Sequence, residues 1–171
     1  MGSRSKTVFR QAQYSSERNR RTDLAYIAGF LDGDGSLIFQ VKKRKDTKTG
    51  WRFMATIVFY QDSRHALPLK WFREILGIGY LSKRNDGMTE LRINGFSQVE
   101  KILKNLFPFL KFKKVQAESL LKALKILKKK DLSSFDKKNL VKIILRIQEH
   151  NYQSPRKKTR EILEKVLGLT P

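Results

Sequence analysis

Two periodicities divide the chain. Residues 24–35 read Leu-Ala-Tyr-Ile-Ala-Gly-Phe-Leu-Asp-Gly-Asp-Gly, an apolar helix that ends in two acids separated by glycines. Thr22 and Asp23 can cap its start, since their side chains accept orphan backbone N–H groups. Ala25, Gly29 and Gly33 recur every fourth residue and form a stripe of tiny side chains. Residues 36–44 then switch to period two. Leu37, Phe39 and Val41 face one way, and Ser36, Ile38, Gln40, Lys42 and Arg44 the other. After a polar turn at 45–50, residues 51–61 repeat the alternation. Phe53, Ala55, Ile57 and Phe59 continue the apolar side, opposite Arg52, Met54, Thr56, Val58 and Tyr60. Two strands joined this closely form an antiparallel hairpin, because parallel pairing needs a longer crossover.

The pattern then repeats in outline. Ser63 is a candidate cap for a helix carrying Leu67, Trp71, Phe72, Ile75 and Leu76, with Pro68 in its first turn. Asn85-Asp86-Gly87 is a strong turn signal between strands at 80–84 and 88–94. Leu91 and Ile93 face the core, while Tyr80, Ser82 and Arg84 share the outer face with Met88, Glu90, Arg92 and Asn94. A helix from Ser97 carries Val99, Ile102, Leu103 and Leu106 on one side. Pro108 breaks it, and the aromatics of 107–112 read as core packing. Further helices are predicted at 115–130, 136–151 and 159–167. The order helix, hairpin, helix, hairpin, helix predicts an α+β fold, an αββαββα core with extra C-terminal helices. Its four-stranded antiparallel sheet carries helices on one face. Neither a repeat nor a linker divides the chain, so 22–171 reads as one domain behind a basic arm at 1–21. That arm is expected to be a mobile tail or a short helix.

Composition narrows the partner. The 171 residues carry 37 Lys and Arg against 16 Asp and Glu, a net charge of +21. Such a surplus calls for a polyanion, with nucleic acid first and an anionic membrane second. The apolar runs are too short for a membrane span, and the N-terminus has no signal-peptide core, so an intracellular protein is expected. Cysteine is absent and the two histidines are His65 and His150, which excludes disulfides, thiolate zinc and histidine-rich metal sites. Any bound metal must be held by oxygen, which favours Mg2+ or a similar hard ion.

These constraints converge on the helix at 24–35. Interior glycines cost about 1 kcal/mol each relative to alanine, so the Ala25, Gly29, Gly33 stripe needs a close helix–helix contact to offset it. Asp32 and Asp34 sit where the helix dipole disfavours negative charge, which suggests a metal or a basic partner. On the other side of the sheet, the mixture of Arg, Lys, Gln, Asn, Glu, Ser and Thr suits the reading of base edges in a major groove.

The 24–36 segment, Leu-Ala-Tyr-Ile-Ala-Gly-Phe-Leu-Asp-Gly-Asp-Gly-Ser, resembles the signature of the LAGLIDADG homing endonucleases. The similarity extends to about residue 167 through the strand pattern, Gln61, the Leu-Gly-Ile-Gly-Tyr run ending at Tyr80 and the Pro-Phe-Leu-Lys-Phe-Lys run from Pro108. One copy of the motif resembles the homodimeric branch. The resemblance implies a saddle-like DNA-binding sheet and a metal-dependent double-strand break in a long, roughly palindromic DNA site. It implies intron homing from a prokaryotic cytoplasm or an organelle, with no membrane and no small-molecule substrate. Mg2+ is the implied cofactor, with Mn2+ and Ca2+ as other occupants. An intron RNA maturase or a non-cleaving DNA-binding protein on the same fold is the alternative, and a basic ribonucleoprotein component the least favoured.

Residue by residue, the resemblance implies Asp34 and the Gly33 carbonyl as metal ligands, with Gln61 and Lys113 organising solvent around the scissile phosphate. Arg64 or His65 assists; spacing leaves both open. Ala25, Gly29, Asp32 and Gly33 are expected at the dimer seam, with Asp32 capping or pairing across it. DNA contacts are expected from Ser36, Ile38, Gln40, Lys42, Arg44, Arg52, Met54, Thr56, Tyr60, Arg64, Tyr80, Ser82, Arg84, Glu90, Arg92 and Asn94. Ser154, Arg156, Lys157, Lys158 and Thr159 form the expected phosphate-contacting loop.

Overall fold

The computed structural model describes residues 3–151 and 157–169, with side chains for residue 17 and from residue 19 onward. Helix α1 (Ser3–Asp34) leads into the hairpin β1 (Gly35–Lys43) and β2 (Trp51–Asp62). Helix α2 (Leu67–Leu76), the hairpin β3 (Tyr80–Lys83) and β4 (Met88–Asn94), and helix α3 (Phe96–Leu106) follow. Helices α4 (Lys114–Ile126), α5 (Ser134–His150) and α6 (Arg160–Val166) complete the chain. The four strands form one antiparallel sheet in the order β1-β2-β4-β3. This is the expected α+β layout, and both hairpins form where their turn residues place them.

Alternation along the strands decides which face is buried. Leu37, Phe39, Val41, Phe53, Ile57, Phe59, Leu91 and Ile93 are buried and join Ile27, Ala28 and Leu31 of α1 in one continuous core. Helices α3, α4 and α5 extend that core through Leu103, Leu120 and Ile144. Phe59 and Phe72 meet edge to face at 5.3 Å, which fastens α2 to β2. Gly77 ends α2 at φ 68°, a left-handed cap that glycine adopts without a Cβ penalty.

Several expectations change. Thr22 and Asp23 do not start a helix; they lie inside α1, which is a single helix of 32 residues, about 48 Å long. Residues 3–21 hold no Gly or Pro to stop it, and their Arg, Glu, Gln and Ala favour helix. Ser63 is not a helix cap. Asp62 accepts the Arg64 N–H and caps a short 3-10 turn, while Ser63 Oγ meets Thr89 Oγ1 at 2.8 Å. The aromatics of 107–112 are not all core. Leu110 is buried, Phe107 and Phe109 are half-buried, and Phe112 is 84% exposed. Helix α4 ends at Ile126, and two of the lysines beyond it are paired: Lys128 with Glu100 at 2.9 Å and Lys129 with Asp136 at 2.7 Å. Ser154 and Arg156 of the basic loop lie outside the described residues.

Candidate active site and nucleic-acid interface

The site begins where α1 becomes β1. Asp32, third from the end of α1, turns its carboxylate inward and is only 9% exposed. Its oxygens accept the backbone N–H groups of Lys111 at 2.6 Å, Phe112 at 3.2 Å and Lys113 at 2.8 Å. These amides belong to the turn that leads into α4. That bend is also what turns Phe112 outward. In return Lys113, the N-cap residue of α4, donates Nζ to the Asp32 carbonyl at 2.6 Å and more weakly to the Gly33 carbonyl at 3.5 Å. A cation thereby meets the carbonyl end of α1, where the dipole is negative. Asp32 thus holds the 111–113 turn against the end of α1.

Asp34 differs from Asp32 in every respect. It is exposed, and no hydrogen bond or ion pair among the described residues engages its carboxylate. Burial pulls the Lys113 ammonium below the usual lysine range, while the charges of Asp32 and Asp34 oppose that shift. Lys113 thus stands within electrostatic reach of Asp34. Gly35 pairs with Phe59, so Asp34 and Gln61 emerge from the same end of the β1–β2 ladder. Gln61 Oε1 accepts the Asp62 N–H at 2.8 Å, which fixes the side chain and leaves its amide nitrogen to point elsewhere. Arg64 grips Asp62 through two hydrogen bonds, at 3.0 and 2.7 Å, and holds that carboxyl well below the usual range. His65 is exposed beside it.

The donors near Asp34 are hard oxygens, a free carboxylate and the Gly33 carbonyl, which suit a cation of the Mg2+ type. Among the described residues, no group of three His, Asp or Glu side chains gathers to hold a metal. A Cβ built on Gly29 or Gly33 meets nothing within 4 Å, and both are exposed. Ala25 is half-buried. Among the described residues, nothing fills the space beside Gly29 and Gly33.

The polar sheet face is ordered in rows by strand register. Lys42 faces Arg52, and Gln40 faces Met54. Ile38, Thr56 and Asn94 form the next row, then Ser36, Val58, Arg92 and Tyr80, then Tyr60, Glu90 and Ser82. Lys42, Arg44, Arg52, Tyr80, Arg84 and Asn94 are exposed, while Ser36, Ile38, Gln40, Met54, Tyr60, Ser82 and Arg92 are half-buried. Arg84 stacks over the Tyr60 ring at 5.5 Å, and burial raises the Tyr60 phenol. Two expected contacts are withdrawn into the sheet. Thr56 is 1% exposed, and its hydroxyl meets Asn94 Oδ1 at 2.7 Å. Glu90 is 7% exposed and its carboxylate is held by Arg92. Both lie on interior strands, where neighbours on each side cover short or retracted side chains.

The basic loop is divided too. Lys157 is exposed, whereas Lys158 donates Nζ to the Val41 carbonyl at 2.6 Å. Burial and the nearby Lys42 and Lys43 lower its ammonium below the usual lysine range. Gln148 fixes the Lys158 backbone from both sides, at 3.0 and 3.2 Å. Lys158 is thus a tether to β1 rather than a free phosphate contact. Thr159 caps α6. Asn151, which sequence reasoning missed, donates to the Leu37 carbonyl at 3.1 Å. Its place just after α5 carried no signal, because its partner lies in β1.

The chain thus combines an αββαββα core, a polar and cationic sheet face, and an unpaired carboxylate at the end of a glycine-striped helix. A family model described as LAGLIDADG endonuclease matches residues 27–127, and the chain belongs to that family. It is 33% identical over 101 residues to the DNA endonuclease I-CvuI of Chlorella vulgaris and 32% identical over 99 residues to the DNA endonuclease I-CreI of Chlamydomonas reinhardtii. These alignments cover 59% and 58% of this chain, and 63% and 60% of the relatives. The structure is similar to that of I-CvuI bound to the I-CreI target in 2 mM Mg with the DNA not cleaved. The TM-score is 0.80 at 25% identity, over 88% of this chain and 95% of that one. A second structure of I-CvuI, with its own target and Ca, superposes with a TM-score of 0.77 over the same shares, also at 25% identity. No helix among the described residues is long and apolar enough to cross a membrane.

Proposed function

We propose that this chain is a homing endonuclease that acts as a homodimer and makes a metal-dependent double-strand break in a long, roughly palindromic DNA site. The observation that carries the reading is the contrast between the two acids of α1. Asp32 is consumed inside the chain, while Asp34, two residues on, is left free beside an open glycine stripe. A second α1 against that stripe would bring two copies of Asp34 together and offset the cost of the glycines. Named relatives that are DNA endonucleases, one of them solved on DNA with Mg and with Ca, support the same activity.

Asp34 and the Gly33 carbonyl would hold the metal, with Mg2+ the preferred ion. When bound, it lowers the pKa of attacking water and offsets charge on the phosphate oxygens. Lys113 places positive charge where negative charge develops, and its grip on the Asp32 carbonyl keeps it from swinging away. Gln61 orients solvent, with its carbonyl oxygen already held by the Asp62 N–H. Asp62 occupies Arg64, which favours His65 as the assisting basic residue. The sheet rows line the groove, and Lys157 with the loop before it meets phosphates. The basic helical extension at 3–21 adds phosphate contacts as an arm. We place the protein inside the cell, in a prokaryote or an organelle.

The test is cleavage of the DNA that flanks the gene's own insertion point, restored to its uninterrupted form. With Mg2+ the protein should cut both strands, and Asp34→Asn should bind but not cut. Cutting by Asp34→Asn at the wild-type rate would remove Asp34 from the site. Specific binding without any cutting would favour the non-cleaving alternative.

A further inference from the structure

Glu90 is out of place on this face. On a sheet that meets a polyanion, a carboxylate either accepts from a cytosine amino group or repels phosphate, yet one lies near the middle of it. Glu90 and Arg92 sit on β4, an interior strand flanked by β2 and β3, so they are central rather than on the rim. The Glu90 side chain is 9% exposed and that of Arg92 28%. Other arginines on this sheet also have acid neighbours: Arg84 pairs with Asp86, and Arg44 with Asp46. Those acids lie in turns and are 50% and 69% exposed, which is the condition of ordinary surface pairs. Glu90 is buried, and Arg92 donates to both of its carboxylate oxygens. Removing a carboxylate from water costs free energy, so a group left there must do something in exchange.

The geometry shows what it does. Arg92 Nε donates to Glu90 Oε1 at 3.0 Å, and Arg92 Nη2 donates to Oε2 at 2.9 Å. This occupies the side edge of the guanidinium. The end edge, made by the two terminal nitrogens, keeps its donors and their spacing. That edge matches the O6 and N7 acceptors of guanine in the major groove. A free arginine would have to order its flexible stem on binding; one clamped by a carboxylate has lost that freedom already. The neighbours in its row, Val58 at 0% exposure and Tyr80, close the sides of the cradle.

Resting on the endonuclease reading above, we infer that Arg92 is a specificity-determining residue that selects guanine. Glu90 is its positioning residue and does not itself read a base. The dimer would then require guanine at a pair of symmetry-related positions.

A duplex library with a randomised centre is bound without metal to wild type, Glu90→Gln, Glu90→Ala and Arg92→Ala, and the retained DNA is sequenced. The wild-type pool is expected to hold guanine at one symmetric pair of positions. Arg92→Ala should lose the preference at that pair alone. Glu90→Gln and Glu90→Ala should relax the same pair by tenfold or more and leave the other positions unchanged, while total retention of DNA stays equal or rises. Circular dichroism melting shows that each variant is folded; a variant that is not is replaced by Arg92→Lys, which keeps the charge and loses the fork and should relax the same pair. Loss of a cytosine preference in Glu90→Ala would make Glu90 a reader and overturn the assignment. So would an unchanged guanine preference in either Glu90 variant, or a uniform loss of affinity in Arg92→Ala. A wild-type pool with no enriched sequence would instead count against the endonuclease reading.

Discussion

Asp32 and Lys113 exchange caps between two helix ends. The acid from the last turn of α1 holds the amides of 111–113, the turn that leads into α4, and Lys113 at the end of that turn holds the carbonyl end of α1. Each helix dipole meets a charge of opposite sign. The exchange also separates stability from chemistry in one short motif. Asp32→Asn puts amide hydrogens against backbone donors and should cost about 2–4 kcal/mol, as for hydrogen bonds to a buried charged group. Asp34→Asn should leave the urea midpoint unchanged. Equilibrium unfolding of both variants checks the contrast, and a similar loss in both would refute it.

Gly29→Ala should act with opposite signs on folding and on association. A Cβ at Gly29 meets nothing within the chain, so the substitution should stabilise the fold by up to about 1 kcal/mol. The same methyl group should weaken a close helix pairing. Thermal unfolding read alongside sedimentation over a concentration series separates the two. Unchanged association would move the seam away from the stripe.

Under the proposed function, Lys113 should give cleavage a pH signature. Its pKa is lowered, chiefly by burial, so it loses its proton at lower pH than a free lysine. Activity that depends on the ammonium should therefore fall on the alkaline side before the ordinary lysine range is reached. Lys113→Met should be slow throughout and lack that limb. A Lys113→Met profile parallel to wild type would remove the lysine from the reaction.

Lys157 and Lys158 are adjacent but should behave differently. Lys157→Ala should lower the salt slope of DNA binding by about 1. Lys158→Met should scarcely change that slope, yet should speed amide exchange along β1, because its ammonium holds the Val41 carbonyl. Equal salt slopes for the two variants would contradict the tether.

The α5 start adds an acid-sensitive term. Ser133 and Asp136 form a capping box, and Lys129 followed by Ser133 lowers the Asp136 carboxyl. A carboxyl with its folded pKa below its unfolded one stabilises above the ordinary carboxylate range, and that stability drains as pH falls through the folded value. Ser133→Ala should cost about 1 kcal/mol at neutral pH. Asp136→Asn should flatten the decline of the unfolding midpoint on acidification; an unaltered slope would assign that decline elsewhere.

Much of this was visible in the chain because it is local. Alternation in 36–44 and 51–61 sets both faces of the first hairpin, and Asn85-Asp86-Gly87 sets the turn of the second. The signature helix announced its acids, but not their division of labour. Asp32 and Asp34 carry the same side chain two residues apart, and the turn at 111–113, far away in sequence, is what separates them. Long-range partners also hid the retreat of Thr56 to Asn94 and the tie of Lys158 to Val41. The cap read at Thr22 failed for the opposite reason. A good local cap cannot start a helix where the preceding residues already favour one.

The hydrogen bonds from Asn151 and Lys158 to Leu37 and Val41 also bear on how copies of this chain can meet. β1 is an edge strand, and an uncovered edge recruits further strands. Here two of its outward carbonyls are taken by side chains, and the opposite edge, β3, is four residues long. Both borders of the sheet are therefore blunted against strand addition, one by side chains that take its carbonyls and the other by its shortness.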